Sequence, residues 1–245
     1  MKKALFILAA LMMSFSAMAQ KHFDMKLWEG KTPNKNKLDD VAELKVFLPN
    51  EKKATGRAGV ICPVAGYENL AMVHEGTQWV PFFNNLGIAV VVLKYRMPNG
   101  NDEVPVSDAE EAMRTVRRNA RTWKINTEDV GIMGFSAGGH LASAVSTHAP
   151  FASRPDFSIL FYPVISMKED ETHKGSCIGF LGDKRNDKTL VKEWSSDRAV
   201  RRHLTPPALL IMTGDDGTVP PLTNGFRYYE AMRKAGNPCA LYVYP

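Results

Sequence analysis

A serine flanked by glycines, in Gly134-Phe135-Ser136-Ala137-Gly138, is the part of this sequence best suited to covalent chemistry. An apolar run precedes it from Val130 to Met133, and a helical pattern of small residues follows it from His140 to Ser146. A glycine-flanked serine in a sharp turn between a strand and a helix forms a nucleophile elbow, which exposes the hydroxyl above the sheet. The sequence therefore predicts Ser136 as a nucleophile that attacks an acyl group.

A serine hydroxyl is a weak nucleophile at neutral pH, so Ser136 needs a general base and an acid that orients the base. Where a nucleophile elbow is present, the three groups follow the chain order Ser, then Asp or Glu, then His. The segment Asp215-Asp216-Gly217-Thr218-Val219-Pro220 directly follows an apolar run. A carboxylate there can hold an imidazole in the required tautomer. The alternative is that the two aspartates cap the helix after Pro220.

Apolar runs rich in β-branched residues predict strands that are buried on both faces and therefore parallel. Helical patterns lie between them, one opening at the capping box Ser107-Asp108-Ala109-Glu110 and another covering Pro221 to Lys234. This alternation predicts an α/β fold, a mostly parallel sheet with helices on both faces, whose active site lies at the carboxyl ends of the strands. The predicted buried strands are 58–63, 88–93, 130–133, 157–161 and 208–212, and residues 240–244 are predicted to form a last strand.

The N-terminal residues have the pattern of an export signal. Lys2 and Lys3 precede a short apolar run, and Ala17-Met18-Ala19 matches a signal-peptidase site. We therefore expect residues 1–19 to be a signal peptide and the protein to be periplasmic or secreted, the alternative being a buried N-terminal helix. Residues 20–56 are then expected to hold a polar lead-in, from 20 to 36, and a half-buried or edge strand over 41–48. Residues 57–245 form one catalytic domain.

Composition excludes some classes of function. The formal charge of +5 falls to +3 without the two signal lysines, because 5 − 2 = 3, which is too mild to favour nucleic acid or an anionic membrane surface as a partner. The cysteines have no metal-binding spacing. Of the three, Cys62 is expected to be buried in a strand, and one disulfide between Cys177 and another cysteine, such as Cys239, remains open.

Several further segments accompany the serine and aspartate motifs, and together they resemble bacterial α/β-hydrolase esterases of the acetylxylan esterase-like group, which is related to feruloyl and carboxyl esterases. The resemblance runs from about Arg57 to Pro245. It implies an α/β-hydrolase fold and a cofactor-free serine esterase that deacetylates xylan or xylo-oligosaccharides, with Asp216 rather than Asp215 as the triad acid. The segments are 74–76, 86–88, 93–96, 134–141, 161–166 and 215–220.

The sequence departs from this family at the loop that supplies the oxyanion hole. The family pattern resembles P-G-G-G-Y, whereas this chain has Pro63-Val64-Ala65-Gly66-Tyr67. The resemblance implies that the backbone N–H groups of Ala65, Gly66 and Ala137 stabilise the oxyanion, with Tyr67 in the substrate pocket. Val64 and Ala65 carry Cβ atoms, so the loop is reshaped or strained if the family glycines have positive φ.

A second departure concerns the catalytic histidine. Relatives place it in a G-G-H-G-like loop after the last strand, and this sequence stops at Tyr244-Pro245. We therefore expect a C-terminally shortened chain that lacks the histidine and the last helix, exposes apolar surface at its last strand and is nearly inactive alone. Two alternatives stay open, namely a feruloyl esterase, general carboxylesterase or peptidase on the same fold, and an inactive carbohydrate-binding protein. The histidines present are expected to be structural or superficial: His22, His74, His140, His148, His173 and His203.

Overall fold

Eight strands form a single sheet in the computed structural model, which describes residues 21–63 and 66–245. The predicted signal peptide, Gln20, Val64 and Ala65 lie outside the described residues. The strand order is β1-β2-β4-β3-β5-β6-β7-β8; β1 and β4 each pair with β2 antiparallel, and all other pairs are parallel. The strands are β1 Lys21–Lys26, β2 Glu43–Leu48, β3 Ala58–Cys62, β4 Ala89–Lys94, β5 Val130–Phe135, β6 Ser158–Phe161, β7 Ala208–Thr213 and β8 Cys239–Tyr244.

Helices lie on both faces of the sheet, as the sequence predicts. One face packs against three long helices through a large apolar core that includes Ile132 and Leu210 of the sheet and Leu141 of a helix. The opposite face carries a smaller cluster around Ile61 and Val80. The helices are α1 Val80–Asn85, α2 Glu103–Arg118, α3 Ala120–Trp123, α4 Ser136–His148, α5 Lys174–Leu181, α6 Lys188–Trp194, α7 Ser196–Ala199 and α8 Gly225–Lys234, with short 3₁₀ turns at Thr77–Trp79 and Gly182–Asn186.

The face of the sheet that carries α1 is partly open. A groove of about 670 Å³ runs across it, and its lining includes Phe83, Ile159, Leu209 and Ala240. Beyond this groove, β8 pairs with β7 alone among the described strands, and its residues from 242 to 244 are exposed. The apolar surface expected beside the last strand is therefore present.

The N-terminal stretch differs from its prediction. The polar lead-in contains a regular strand, β1, because its backbone pairs with β2 over six residues although its side chains stay largely exposed. This outer strand makes β2 an interior strand, half-buried as predicted but not at an edge.

Two helices begin at other residues than the sequence predicts. Helix α2 begins at Glu103 rather than at the predicted capping box, and the Ser107 hydroxyl donates to the Val104 carbonyl instead of capping. Helix α8 begins at Gly225, four residues later than predicted.

All three cysteines are free, and Cys62 is fully buried as expected. In the described part of the chain, no helix is both long and apolar enough to cross a membrane.

Candidate active site

Ser136 stands at a sharp turn between β5, which ends at Phe135, and α4, which begins at Ser136 itself. Its φ is +49°, a left-handed backbone conformation that residues with a Cβ atom seldom adopt and that costs free energy. The following N–H group, of Ala137, lies in the first helical turn, where the helix offers no carbonyl acceptor. The turn therefore presents a hydroxyl and an N–H donor without an intrahelical partner side by side, as acyl transfer requires.

The glycines around Ser136 allow the strand, the turn and the helix to approach closely. A Cβ atom built on Gly134 would lie 2.0 Å from the Gly138 carbonyl oxygen. A Cβ atom on Gly139 would lie 2.8 Å from Cβ of Pro163, in the loop after β6. That loop is further tied to the turn, because the Val164 N–H donates to the Ser136 carbonyl at 3.0 Å. Side chains at these glycines would displace the serine.

The Ser136 side chain is partly exposed, and its hydroxyl has no hydrogen-bond partner among the described residues. All six histidines belong to that part of the chain, and none of them hydrogen-bonds Ser136 there. His140 is buried in α4, His148 caps the same helix's last turn, and His173 caps the start of α5. The others lie at the surface: His22 stacks on Phe47, His203 contacts Arg202, and His74 is exposed.

Asp216 lies in the loop after β7 with one carboxylate oxygen held in place. Its Oδ1 accepts hydrogen bonds from the backbone N–H groups of Thr218 at 2.8 Å and Val219 at 2.9 Å. Its Oδ2 has no hydrogen-bond partner in the described residues. Such a carboxylate is oriented by its own loop and retains one oxygen for an imidazole N–H. The neighbouring Asp215 is exposed and lacks this anchoring, which is consistent with the choice of Asp216.

Ser136 and Asp216 follow strands that have one strand, β6, between them. Two strand spacings separate the ends of β5 and β7 by roughly 10 Å. Tyr162 follows β6 between them, at φ +33°, and its N–H donates to the Ile211 carbonyl of β7 at 2.7 Å. The three loops therefore meet at one edge of the sheet, where the sequence places the active site.

Tyr162 and Glu75 form a pair at this edge, and neither was among the site residues predicted from the sequence. The Tyr162 hydroxyl donates to Glu75 Oε1 at 3.2 Å, and Glu75 is buried. Burial, then the negative charges of Glu75 and Asp216, raise the pKa of Tyr162 well above its usual value. Tyr162 therefore stays a neutral hydrogen-bond donor within the electrostatic reach of Asp216. The signal available in the sequence was its place immediately after a buried strand.

The last strand ends beside the Asp216 loop. The Gly214 N–H donates to the Tyr244 carbonyl at 2.7 Å, so the backbone at the end of β8 is hydrogen-bonded to the segment that carries Asp216. The described residues contain no group of three or more His, Cys, Asp or Glu side chains arranged to hold a metal ion.

Within the predicted oxyanion loop the structure describes Pro63, Gly66 and Tyr67, and Val64 and Ala65 lie outside the described residues. Gly66 and Tyr67 both have positive φ, at +62° and +63°. The Tyr67 side chain is only 2 % exposed, and its hydroxyl lies 2.8 Å from Nδ1 of His140. This placement differs from the expectation that Tyr67 contacts substrate, because the ring fills the protein core instead. His173 lies close to Gly66, with its Cε1 3.2 Å from the position of a Cβ atom built on that glycine.

The strand order, the parallel core of the sheet and the strained serine after β5 define an α/β hydrolase. A family model described as the α/β-hydrolase fold matches residues 81–245, and the chain belongs to this family. The fold predicted from the sequence is thus confirmed.

Particular relatives agree with the resemblance. The chain is 48 % identical over 248 aligned residues to an acetylxylan esterase of Xylanibacter ruminicola, and the match covers all of this chain but 49 % of that protein. It is 32 % identical over 201 residues to endo-1,4-β-xylanase B of Butyrivibrio fibrisolvens, covering 76 % of this chain and 31 % of that protein. The chain therefore spans at most about half the length of these relatives.

A solved structure is similar over nearly the whole fold. It is an acetyl ester-xyloside bifunctional hydrolase from Caldicellulosiruptor lactoaceticus, with a TM-score of 0.82 and 32 % identity, and the match covers 91 % of this chain and 85 % of that one. Together these matches confirm the resemblance to the acetylxylan esterase-like group.

Proposed function

We propose that this chain carries the catalytic fold of a serine esterase that removes acetyl groups from xylan or xylo-oligosaccharides. The observation that carries the proposal is the strained, partly exposed Ser136 beside the N–H of Ala137, which has no intrahelical partner. The sequence similarity to an acetylxylan esterase and to an acetyl ester-xyloside hydrolase supports the choice of an acetylated glycan as substrate.

In this proposal Ser136 Oγ attacks the acetyl carbonyl carbon while a histidine takes its proton. The carbonyl oxygen becomes an oxyanion, which accepts hydrogen bonds from the N–H of Ala137 and from the N–H groups of Ala65 and Gly66. The imidazolium, held by Asp216, then protonates the glycan oxygen as the C–O bond breaks. In the second half of the reaction the histidine takes a proton from water, which attacks the acetyl carbon. The histidine then returns the proton to Ser136 Oγ, so that acetate is released and the serine is restored.

We place the base histidine after β8, in a polypeptide that continues past Pro245. Two observations support this placement. No histidine of residues 21–63 or 66–245 hydrogen-bonds Ser136 or Asp216, and the end of β8 is bonded to the Asp216 loop through Gly214 and Tyr244. A histidine a few residues beyond Tyr244 would follow the strand end that is hydrogen-bonded to the segment carrying Asp216. Loss of a base histidine lowers kcat by about 10⁶ in a comparable hydrolase, so residues 1–245 alone should be nearly inactive.

The test is acetate release from acetylated xylan by the full-length natural protein, compared with a protein of residues 1–245. Ser136→Ala should lower kcat by about 10⁶, and Asp216→Asn by about 10⁴. The matched controls are Ser158→Ala, which removes a buried hydroxyl that has no hydrogen-bond partner in the described part of the chain, and Asp215→Asn. Both should hydrolyse the substrate at the normal rate. Equal activity of Ser136→Ala and the natural protein would rule out the assigned nucleophile.

Acyl specificity and export need separate experiments. A panel of acetyl, butyryl and feruloyl esters and a peptide substrate should show a wide preference for acetyl esters; a feruloyl or peptide preference would favour the alternative enzymes. For export, we propose cleavage after Ala19, so that N-terminal sequencing of protein secreted by a bacterial host should begin at Gln20. An intact Met1 on cell-retained protein would contradict this.

The absence of a histidine at Ser136 among the described residues is also what an inactive glycan-binding protein would show. Calorimetric titration of the full-length protein with xylo-oligosaccharides separates the two functions. Tight binding with no acetate released from acetylated ligands would favour the binding protein over the esterase.

A further inference from the structure

Tyr67 is held in the core through its hydroxyl as well as its ring. The ring packs 5.1 Å from that of Phe180 and 5.9 Å from that of His140, measured between centroids. The hydroxyl lies 2.8 Å from His140 Nδ1, and His140 Nε2 lies 2.8 Å from the Trp194 carbonyl oxygen. Two hydrogen bonds therefore join three segments that are distant in sequence.

The direction of these hydrogen bonds follows from chemistry. A carbonyl oxygen only accepts, so His140 Nε2 must carry a hydrogen and donate it to Trp194. Burial, the largest cause, lowers the pKa of His140 to about 4, so the ring is neutral and its Nδ1 is an acceptor. The Tyr67 hydroxyl is therefore the donor to Nδ1. Both polar atoms of the buried ring are satisfied only in this one arrangement.

The two ends of the Tyr67 hydrogen bond belong to the two parts of the candidate site. Tyr67 directly follows Gly66, a proposed oxyanion donor. His140 lies in α4, four residues and about one turn after Ser136, on the helix that the nucleophile begins. The hydrogen bond thus ties the oxyanion loop to the nucleophile's own helix.

Helix α5 closes the loop from the other side. A Cβ atom on Gly179 would lie 2.9 Å from Cβ of Tyr67 and 3.2 Å from the Gly66 carbonyl oxygen, so the helix backbone lies directly against the loop. Phe180 of the same helix packs edge-on against His140, with ring centroids 4.7 Å apart. The loop is consequently packed against the backbone of α5 and anchored by a hydrogen bond to α4.

We infer that Tyr67 and His140 are positioning residues for the oxyanion hole, whose hydrogen bond fixes the Gly66 N–H relative to Ser136. Gly66 adopts its positive φ at little cost, but Tyr67 carries a Cβ atom, and at φ +63° its backbone conformation persists only where the surroundings impose it. The inference rests on the proposed esterase function for its catalytic consequence, but the structural anchoring stands by itself.

The first experiment compares Tyr67→Phe with Tyr95→Phe. Tyr95 is the matched control because it is buried beside Tyr67, at 6.4 Å between ring centroids, and its hydroxyl has no hydrogen-bond partner among residues 21–63 and 66–245. In the full-length protein, Tyr67→Phe should lower kcat for an acetyl ester about 10-fold to 100-fold, less than the loss of a whole oxyanion donor, with KM within about twofold. Affinity for an alkyl boronic acid, which forms a tetrahedral adduct with serine, should fall by the same factor.

The second experiment needs no activity. Hydrogen–deuterium exchange of the peptide spanning residues 63–68 should be at least about 10-fold faster in Tyr67→Phe than in the natural protein and in Tyr95→Phe, because the loop opens more often without its anchor. Unchanged exchange would overturn the inference whatever the activity. If the natural protein hydrolyses no ester but the exchange differs as expected, the proposed function fails and the anchoring role survives.

A pair of substitutions at His140 tests the acceptor. His140→Asn can place an amide oxygen near the position of Nδ1 and keep the Tyr67 hydrogen bond, whereas His140→Leu fills the space without an acceptor. The asparagine variant should recover most of the kcat and slow exchange at residues 63–68 that the leucine variant loses. Equal behaviour of the two variants would show that His140 acts through packing alone and would overturn the inference.

Discussion

Arg96 and Asp108 form a bidentate ion pair in the interior, where Arg96 Nη2 lies 2.6 Å from Asp108 Oδ1 and Arg96 Nε lies 3.0 Å from Oδ2. The side chains are 3 % and 0 % exposed. Trp28 Nε1 donates to the same carboxylate at 2.7 Å, so the pair joins the end of β4, helix α2 and the segment after β1. The N-terminal segment is thereby fastened to the body of the fold.

Asp108→Ala should destabilise the protein by about 3–5 kcal/mol, because it leaves the buried Arg96 charge without a partner. Urea unfolding followed by circular dichroism measures the change in free energy of unfolding. The control is Glu51→Gln, which breaks an ion pair to Lys124 whose side chains are 79 % and 58 % exposed. That variant should unfold at the normal urea concentration, since exposed pairs contribute little. Equal effects of the two substitutions would contradict the role assigned to the buried pair.

A second prediction concerns the elbow. Gly134→Ala places a Cβ atom 2.0 Å from the backbone oxygen of Gly138, and neither side of this contact is a flexible side chain that could move away. We expect a loss of about 3 kcal/mol of stability and a fall of about 10²-fold in kcat, because relief of the clash moves Ser136. Gly59→Ala is the control, since a Cβ atom there meets nothing within 4 Å. Thermal melting and ester hydrolysis of both variants decide the matter; an active, stable Gly134→Ala protein would contradict it.

The sequence predicted the parts of the fold that are set by burial. Continuous apolar runs such as Val130–Met133 became parallel strands because a strand covered on both faces has few other solutions. Strand β1 was missed because its exposed side chains carry no apolar pattern, and its regularity comes from hydrogen bonds to β2. The start of α2 was misplaced because the sequence offers two possible starts. Asp102 can occupy an N-cap position and Pro105 a first turn, and the capping box at Ser107 offers a start further along the chain.

The candidate site likewise contains residues that local motifs predict and contacts that they do not. Ser136 and Asp216 could be proposed from local motifs, since a turn type and a loop position are encoded by neighbouring residues. The Tyr67–His140 hydrogen bond spans 73 residues in sequence and depends on how the loop folds over α4. The Tyr162–Glu75 pair spans 87 residues. Contacts between residues so far apart in the chain depend on tertiary packing, and no local sequence pattern predicts them.

A third prediction is a dependence of stability on pH through His140. Its pKa in the folded protein is about 4, chiefly because burial disfavours the charged ring, against an ordinary value near 6.5. The unfolded chain therefore binds a proton between these values that the folded protein does not. Stability from this group is complete above pH 6.5 and falls, by on the order of 3 kcal/mol, as the pH drops to 4. Urea unfolding at intervals between pH 7 and pH 4 measures the slope.

The contribution of His140 to the pH dependence of stability can be distinguished from that of the carboxylate Glu171, because the two groups act over different pH ranges. Burial raises the pKa of Glu171, but hydrogen bonds from Arg227, Lys168 and Ser166 outweigh it and hold the pKa at about 2, so stability from this carboxylate is lost only as the pH falls below about 4.5. His140→Asn should flatten the stability curve between pH 6.5 and 4.5 and leave the steeper fall below it. An unchanged slope in that variant would show that other groups cause the dependence.

The open edge of β8 leads to the last prediction. Strand β8 has a neighbour on one side only within the described residues, and its Tyr242, Val243 and Tyr244 are 56 %, 42 % and 58 % exposed. An unpaired strand edge with apolar side chains is a template for pairing with another chain, and the groove across Ile159 and Leu209 adds apolar surface beside it. A protein of residues 21–245 should therefore self-associate with rising concentration, as measured by light scattering after size-exclusion chromatography.

Tyr242→Lys should reduce this association, because a charge at the edge opposes burial against a second strand. Phe151→Lys is the matched control, since Phe151 is 88 % exposed in the turn that follows α4 and the substitution adds the same charge. It should associate as the unaltered protein does. If both substitutions act equally, net charge rather than the β8 edge controls association. If the unaltered protein stays monomeric at every concentration, the exposed edge and groove do not drive association, and the prediction is wrong.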